Sequence, residues 1–461
     1  MNQKEKRKIM QSCTLTAADA ALVVGFNWAK AQALAYVGDA QDPVGPWYEA
    51  ALPGREAFCM RDVAHQSTGA QVLGLAQATR NMLFHFAANI AVSRDWCTYW
   101  EINRYNRPCP ADYRSDQDFW YNLPANFDLL HCCYRQYLWT GDRTYLDEPV
   151  FRHFYARTVD DYVRAWDRDG DGLLEHLPAD GYRGIGTYNE QVPHPRRGGD
   201  LLATHFAAYQ AYAEMATLWG ESHLATAFRQ RADSLQVHYA QVWWDETSQR
   251  FASFQQQDGA YHVGCNGTPV FFPLALGLVP DQCQAQASLA SEIAQRTTLN
   301  VEERSFLPDL FYQYGQADIA YDELLAQVDP TYARRDYPEV SFTVVGAIVT
   351  GLMGITPDAR TRTITTNPRL TAATPWVAIH ELPVFANHIE VTHIGNRETV
   401  LSNRSGDAFL WQAKFAGQQP VLQLDGVPYT CNQAVNFVGQ HESWITHCVE
   451  PGATHHVILP V

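Results

Sequence analysis

Two stretches of this chain break and resume a helix in the same way, and that recurrence limits the architectures open to it. Leu201, Leu202, Phe206, Tyr209, Tyr212, Ala213, Ala216 and Trp219 follow a helical spacing and mark one apolar face. Gly220 stops that helix, Ser222 is placed to cap the next, and Leu224, Phe228, Ala232, Leu235 and Tyr239 carry the second face. Earlier, residues 126–139 read as a helix, Gly141 breaks it, and a second run reaches Trp166. The period is 220 − 141 = 79 between the glycines and 244 − 166 = 78 between Trp166 and Trp244. Tyr314, Gly315 and Gln316 form a third, looser copy. Repeated helical hairpins either stack openly or close into a ring. Long glycine-rich and aromatic loops between the hairpins favour a closed toroid with a site at one end, because binding residues sit on loops held by a rigid scaffold.

The helical pattern runs from about Thr16 to Gly354, and then the texture changes. Residues 362–366, 376–380, 388–393, 409–415 and 421–424 alternate apolar and polar side chains, punctuated by Pro368, Gly395, Gly406, Gly417 and Gly426. The expected organisation is a helical toroid over residues 1–355 and a C-terminal antiparallel β-sandwich over 356–461, linked near Thr356, Pro357 and Asp358.

Charge narrows the partners. A net charge of −16 argues against nucleic acid and against an anionic membrane surface. Residues 1–10 are charged with no apolar segment after them, so no signal peptide is expected and the chain is assigned to the cytoplasm, or to the periplasm or exterior if a leader has been removed. The ten cysteines contain no CxxC pair, and buried free thiols are expected. Oligomeric state is not legible. The 13 Trp, 23 Tyr and 21 Phe are more telling, because many stand beside Asp, Asn, Arg or His. A sugar offers apolar ring faces and a rim of hydroxyls, which aromatic platforms with planar polar groups can match.

Four constellations carry candidate chemistry. Arg61, Asp62, His65 and Gln66 lie within six residues, ahead of a helix expected near Ser67, and suit a set of hydroxyls. The Gly- and Pro-rich loop 184–200 carries Tyr188, Asn189, Glu190, His194, Arg196 and Arg197, with Asp200 placed to cap the helix that follows. Partial desolvation among Tyr188, Asn189 and Pro193 would raise Glu190 into the range of a general acid. Glu339 follows Tyr337 and Pro338 at the start of an apolar helix and is the candidate partner carboxylate, with Glu302 and Glu303 as runners-up. Asp167, Asp169 and Asp171 begin like a calcium loop. Pro178 stands where an EF-hand places its bidentate Glu, so a tight turn aiming Glu175 and His176 into the cleft is preferred to calcium, and no cofactor is expected. Trp120, Tyr188 and Trp244 are candidate sugar platforms. No P-loop, GxGxxG after a strand, HExxH or GxSxG element is present.

The ordered segments resemble the six-hairpin glycosidases, a group that includes alpha-L-rhamnosidases, glucoamylases, trehalases, processing alpha-glucosidases and the cellobiose phosphorylase type. The run from Asp167 to Glu175 is similar to a loop of the glucoamylase and processing-glucosidase branches. Tyr188, Asn189 and Glu190, ahead of a helix ending in Trp219 and Gly220, stand where those families place the catalytic acid. The stretch from Arg61 to Gln66 resembles a sugar-binding run of the phosphorylases, and the β tail looks like that of rhamnosidases. The resemblance implies an (α/α)6 barrel and an inverting, exo-acting glycoside hydrolase acting on an oligosaccharide or glycoside. In that reading Glu190 protonates the leaving oxygen, Glu339 activates water, and Arg61, Asp62, His65 and Gln66 hold the terminal sugar. The alternatives are a glycoside phosphorylase, a lyase acting on uronic-acid glycans through His65, His194 and Tyr188, and a carbohydrate-binding protein without activity. The departures are a barrel that begins almost at once and a Glu where several of these families use Asp.

Overall fold

The computed structural model describes residues 13–460, so the leader expectation for residues 1–10 lies outside the described residues. Twelve helices build the toroid. They are α1 (Ala20–Ala35), α2 (Met60–Val72), α3 (Ala76–Ala88), α4 (Pro124–Thr140), α5 (Pro149–Arg157, extended by a π turn to Trp166) and α6 (Gly199–Leu218). The second half comprises α7 (Ser222–Val242), α8 (Thr268–Ala275), α9 (Gln282–Gln295), α10 (Leu307–Gln313), α11 (Ala317–Val328) and α12 (Pro338–Ala347). The inner ring runs α2, α4, α6, α8, α10, α12 and closes where α12 packs on α2. Each inner helix is followed by an outer one, except that the last hairpin is completed by α1 from the start of the chain.

Every inner helix is followed within a few residues by a glycine at positive φ: Gly74, Gly141, Gly220, Gly277, Gly315 and Gly354. A left-handed residue there reverses the chain at little steric cost. The inner helices therefore all run the same way, and their N-termini share one end of the ring. Trp243, not Trp244, is the structural counterpart of Trp166. Both are fully buried, and each carbonyl accepts the amide nine residues on, Glu175 to Trp166 at 3.0 Å and Ala252 to Trp243 at 2.7 Å. The second period is thus 243 − 166 = 77.

Two sheets form the C-terminal sandwich. The seven-stranded sheet runs Thr14–Ala17, Trp376–Val384, Asn387–Ile394, Glu398–Ser405, Thr454–Ile458, Val421–Leu424, Val427–Thr430. The five-stranded sheet runs Thr356–Asp358, Thr363–Thr366, Phe409–Ala416, His441–Val449, Asn432–Val435. Trp411, Phe415 and Ile445 of the smaller sheet join Val377, Ile379, Val391 and Leu401 of the larger in the buried core.

Several local expectations change. Thr16 lies in a strand that pairs with residues 377–380, and helix begins only at Ala20, capped by Asp19. The strand Thr14–Ala17 thus ties the toroid's outer helix to the sandwich. Thr356, Pro357 and Asp358 are a strand, not a linker. One pairing, Thr363–Thr366 with Phe409–Ala416, is parallel. Helix α2 begins at Met60, so Arg61 to Gln66 lie inside it. Ser222 and Asp200 are first-turn residues, and neither caps its helix. All ten cysteines are free, six of them buried. No helix among the described residues is long and apolar enough to cross a membrane.

Ring closure depends on close backbone approach. A Cβ on Gly69 of α2 would overlap the carbonyl of Phe342 in α12, whereas one on Gly346 would meet Thr68 and the Gly69 amide at 3.3 Å or beyond. Alanine is worth about 1 kcal/mol over glycine in a helix interior, but overpacking against fixed backbone costs about 1–3 kcal/mol. Gly69→Ala is therefore expected to destabilise the protein and Gly346→Ala to be nearly neutral, as read by chemical denaturation midpoints.

Candidate active site

The N-terminal turns of α2, α8 and α12, with the loops beside them, line a cavity of about 480 Å³. Parallel helices place the positive ends of their dipoles at this mouth, which favours carboxylates in their first turns. Asp62 of α2, Glu339 of α12, and Glu302 and Glu303 of a short helix ahead of α10 all occupy such positions and line the cavity. Glu101, Asp112 and Glu190 add three more carboxylates, against Arg55, Arg61 and Arg334. Trp100, Trp120, Tyr188 and Tyr337 supply the aromatic wall.

Arg61 is the hub. Its guanidinium meets Glu302 at 2.7 Å, Glu190 at 3.3 Å and Asp62 at 3.6 Å, and lies over the rings of Trp100 and Tyr188. It also donates to the Tyr188 carbonyl. A second cluster joins Arg55 to Glu101 at 3.4 Å and Asp112 at 3.5 Å. Arg334, at positive φ, stacks over Tyr337 at 4.1 Å.

Burial dominates the protonation of this wall. It pushes Asp62 up to about 7 against the pull of Arg61, and Glu303 up to about 7 with help from Glu302. Burial and a hydrogen bond shared with Asp112 bring Glu101 to about 9. Glu302 is raised by burial despite Arg61. Glu339, 2% exposed, is held well above the usual carboxylate range by burial first, then by Asp62 and Glu302. Its Oε2 has no hydrogen-bond partner. Glu190 differs: its side chain is 48% exposed, so it stands at the mouth rather than in the desolvated setting that its neighbours in sequence suggest.

Asp200 fixes the loop that carries Glu190. Its Oδ2 accepts from the Tyr188 amide at 2.7 Å, the Thr187 hydroxyl at 2.9 Å and the Thr268 hydroxyl at 3.1 Å, while Oδ1 accepts from the Leu201 amide. This buried carboxyl, raised by burial to about 6, joins the loop to α6 and α8.

Of the residues singled out in sequence, Arg61, Asp62, Trp120, Tyr188, Asn189, Glu190 and Glu339 line the cavity together with Glu302 and Glu303. His65 lies behind the wall, bonded to Ser305 at 2.8 Å and stacked on Phe306. Gln66 is fully buried with neither amide atom paired. His194 packs beside Trp120 at the rim. Trp244 packs on Phe251 in a hairpin beyond α7, outside the cavity lining. Glu175, His176 and Arg196 also lie outside the lining. Glu175 is buried against Arg197, and His176 is held by the Gly184 carbonyl at 3.1 Å.

The acidic loop follows the same logic. The ligand atoms of Asp167, Asp169, Asp171 and Glu175 lie within 4.8 Å of one another. Arg196 bridges Asp169 and Glu175, Arg197 bridges Asp171 and Glu175, and Asp167 accepts the amides of Gly170 and Gly172. The carboxylates that suggest calcium are thus engaged by two guanidinium groups and by the turn's own amides.

The lining residues without a sequence signal are Arg55, Glu101, Asp112, Asn300 and Arg334. Glu101 reaches the site because the strand Glu101–Asn103 pairs with Ala57–Cys59, directly ahead of Arg61. That pairing spans some forty residues and leaves no local mark.

Residues 127–335 match the family model described as the bacterial alpha-L-rhamnosidase six-hairpin glycosidase domain. The match covers 209 of the 461 residues, and over them the chain is similar to that domain. Its fold is similar to an alpha-L-rhamnosidase from Dictyoglumus thermophilum, with 13% identity and a TM-score of 0.65 over 97% of this chain and 50% of that one. An alpha-L-rhamnosidase from Streptomyces avermitilis, complexed with L-rhamnose, gives 12% identity and a TM-score of 0.62 over 97% and 42%. A human-microbiome protein assigned as a kojibiose phosphorylase gives 10% identity and a TM-score of 0.63 over 98% and 69%. At these identities the likeness establishes the fold. The chain spans about half the length or less of the rhamnosidases it matches, 41% to 50%. No curated protein matches it in sequence.

Removing one partner of a buried ion pair typically costs about 3–5 kcal/mol, whereas exposed pairs are worth about 1 kcal/mol or less. Arg197→Met, which leaves buried Glu175 only its longer contact to Arg196, is therefore expected to lower unfolding stability by about 3 kcal/mol. Arg196→Met, nearer to solvent, should cost about 1 kcal/mol or less in the same urea titration.

Proposed function

We propose that this chain is a glycoside hydrolase that removes a terminal sugar with inversion, Glu190 acting as general acid and Glu339 as general base. The observation that carries the proposal is their placement. Both line one cavity, Glu190 on the loop ahead of α6, the third inner helix, and Glu339 in the first turn of α12, the sixth. Inversion needs an acid and a base on opposite faces of the sugar, roughly 6.5–9.5 Å apart, with room for water. Glu190 stands at the exposed mouth, where a leaving group departs, and Glu339 lies deep, where the terminal sugar's far face would be. The glycosidase-domain match and the rhamnosidase neighbours support sugar hydrolysis.

Charge favours water over phosphate as the attacking group. Seven carboxylates face three arginines in the lining, and both Arg55 and Arg61 are engaged by carboxylates. Two of the three arginines that could hold a phosphate or a uronate are thus already paired. Arg196 and Arg197, the other candidates for holding a uronate, are committed to the acidic loop. The lyase reading also loses His65, which lies behind the wall.

Proton NMR of the first-formed anomer should show inverted configuration on aryl or oligosaccharide glycosides; retention overturns the assignment. Glu190→Gln should lower kcat by about 10²–10⁴, less with aryl leaving groups that need no proton. The pH profile tests the base. Glu339 must lose its proton to act, and burial, Asp62 and Glu302 hold that proton above the usual carboxylate range. The acid-side limb of the profile should therefore lie above the usual carboxylate range. Asp62→Asn removes one raising charge and should move that limb to lower pH; an unmoved limb excludes Glu339 as the titrating base.

A further inference from the structure

The cavity's aromatic wall does not stop at its edge. Trp120 lines the cavity, and Tyr182 stacks on it outside, with ring centroids 5.4 Å apart and planes 25° apart. His194 sets its ring edge-on to both, 6.4 Å from Trp120 and 5.7 Å from Tyr182. Tyr182 is 60% exposed, so much of this aromatic surface has no protein cover. Leu52, also in the cavity lining, is 48% exposed at the same mouth.

The platform is held stiffly. Trp120 donates through Nε1 to Asn122 at 2.9 Å. The Tyr182 carbonyl accepts the Tyr121 amide at 3.0 Å, and Tyr121 in turn accepts the Ile185 amide at 2.8 Å. Gln257 donates to the carbonyls of both His176 and His194, which anchors the loop under the histidine. A stack built only to close a loop would bury its outer ring. Here the outer ring is open to water, continuous with the cavity wall, and adjacent in sequence to the loop bearing Glu190.

We propose that Trp120, Tyr182 and His194 form a second subsite that binds the leaving group, taking the apolar face of a pyranose ring or an aryl group attached to the terminal sugar. The subsite rests on the reading that the cavity holds that terminal sugar. Its chemistry follows from the surface: an aromatic face stacks on a ring's C–H or π face with little demand on stereochemistry, while Gln191 at the cavity edge offers hydrogen bonds to flanking hydroxyls. The cavity would choose the terminal sugar, and this platform would favour ring-bearing leaving groups over small ones.

The test compares methyl and 4-nitrophenyl glycosides of α-L-rhamnose and of α-D-glucose, titrated calorimetrically into the full chain carrying Glu190→Gln so that turnover does not interfere. An aromatic contact of this kind is worth about 3- to 10-fold in Kd. The 4-nitrophenyl glycoside of at least one pair should bind tighter than its methyl partner by that factor. Adding Tyr182→Ala should bring the ratio to about one, and Tyr182→Phe should restore it. A ratio that survives Tyr182→Ala, a ratio of one before the change, or no binding of any of the four overturns the subsite. Hydrolysis is scored separately on the unmutated chain: absence of turnover with an aryl preference that depends on Tyr182 overturns the hydrolase reading and leaves the subsite standing.

Discussion

Six inner helices point their N-termini at one mouth, and most of what the molecule does there follows from that alignment. Parallel helices cannot follow one another directly, so each must be returned by an outer helix, and six left-handed glycines make the reversals at the far end. The near end is left to the longer, irregular connections, which bring in the strand pair carrying Glu101 and the loop carrying Glu190. The converging dipoles lower the cost of placing negative charge at this end. They do not remove it, because burial still raises Asp62, Glu101, Glu302, Glu303 and Glu339.

Arg61 sets how that charge is shared. It binds Glu302 and Glu190 from different connections and Asp62 from its own helix, so one guanidinium ties three parts of the ring together at the site. Glu339 lies outside its hydrogen-bonding reach and keeps an unpaired oxygen. Five of the seven lining carboxyls are thus paired with arginine; among the described residues Glu303 and Glu339 are not, and Glu339 is the more deeply buried of the two. Asp200 performs the complementary task on the opposite side. It makes no contact with the cavity, yet its bonds to Thr187, Tyr188 and Thr268 fix where Glu190 stands.

The hairpin toroid and the β tail are legible in the sequence because both rest on local periodicity. The glycine turns at 141, 220 and 315 stand out because tryptophan or tyrosine and a polar residue flank them. The turns at Gly74, Gly277 and Gly354 share the same backbone role at spacings of 67, 57 and 39 residues from their neighbours in the series, so no fixed period announces them. Glu190, Glu339, Arg61 and Asp62 are legible as chemistry at loop and helix starts. Glu175 and Arg196 carry the same kind of signal but pair with each other in the acidic turn, and His176 is held by a backbone carbonyl; local sequence does not separate a charge that faces a ligand from one that faces another charge. Arg55, Glu101 and Asp112 are silent because their place depends on a non-local strand pair.

The N-terminal segment shows how the two parts depend on each other. Helix α1 supplies the outer half of the last hairpin, and the strand just before it, Thr14–Ala17, is an edge of the larger sheet. The ring is thus completed by residues that the sandwich holds in place. On the same side of the molecule Trp139 donates to the Pro383 carbonyl, and the amides of Ala359 and Phe385 bond to the end of α4. A sandwich that only followed the barrel could drift relative to it without consequence. One that also anchors α1 constrains α12, on which α1 packs, and α12 is the helix that presents Glu339 and closes against Gly69. The β domain, far from the mouth in sequence, is in this way mechanically coupled to the deep wall of the site.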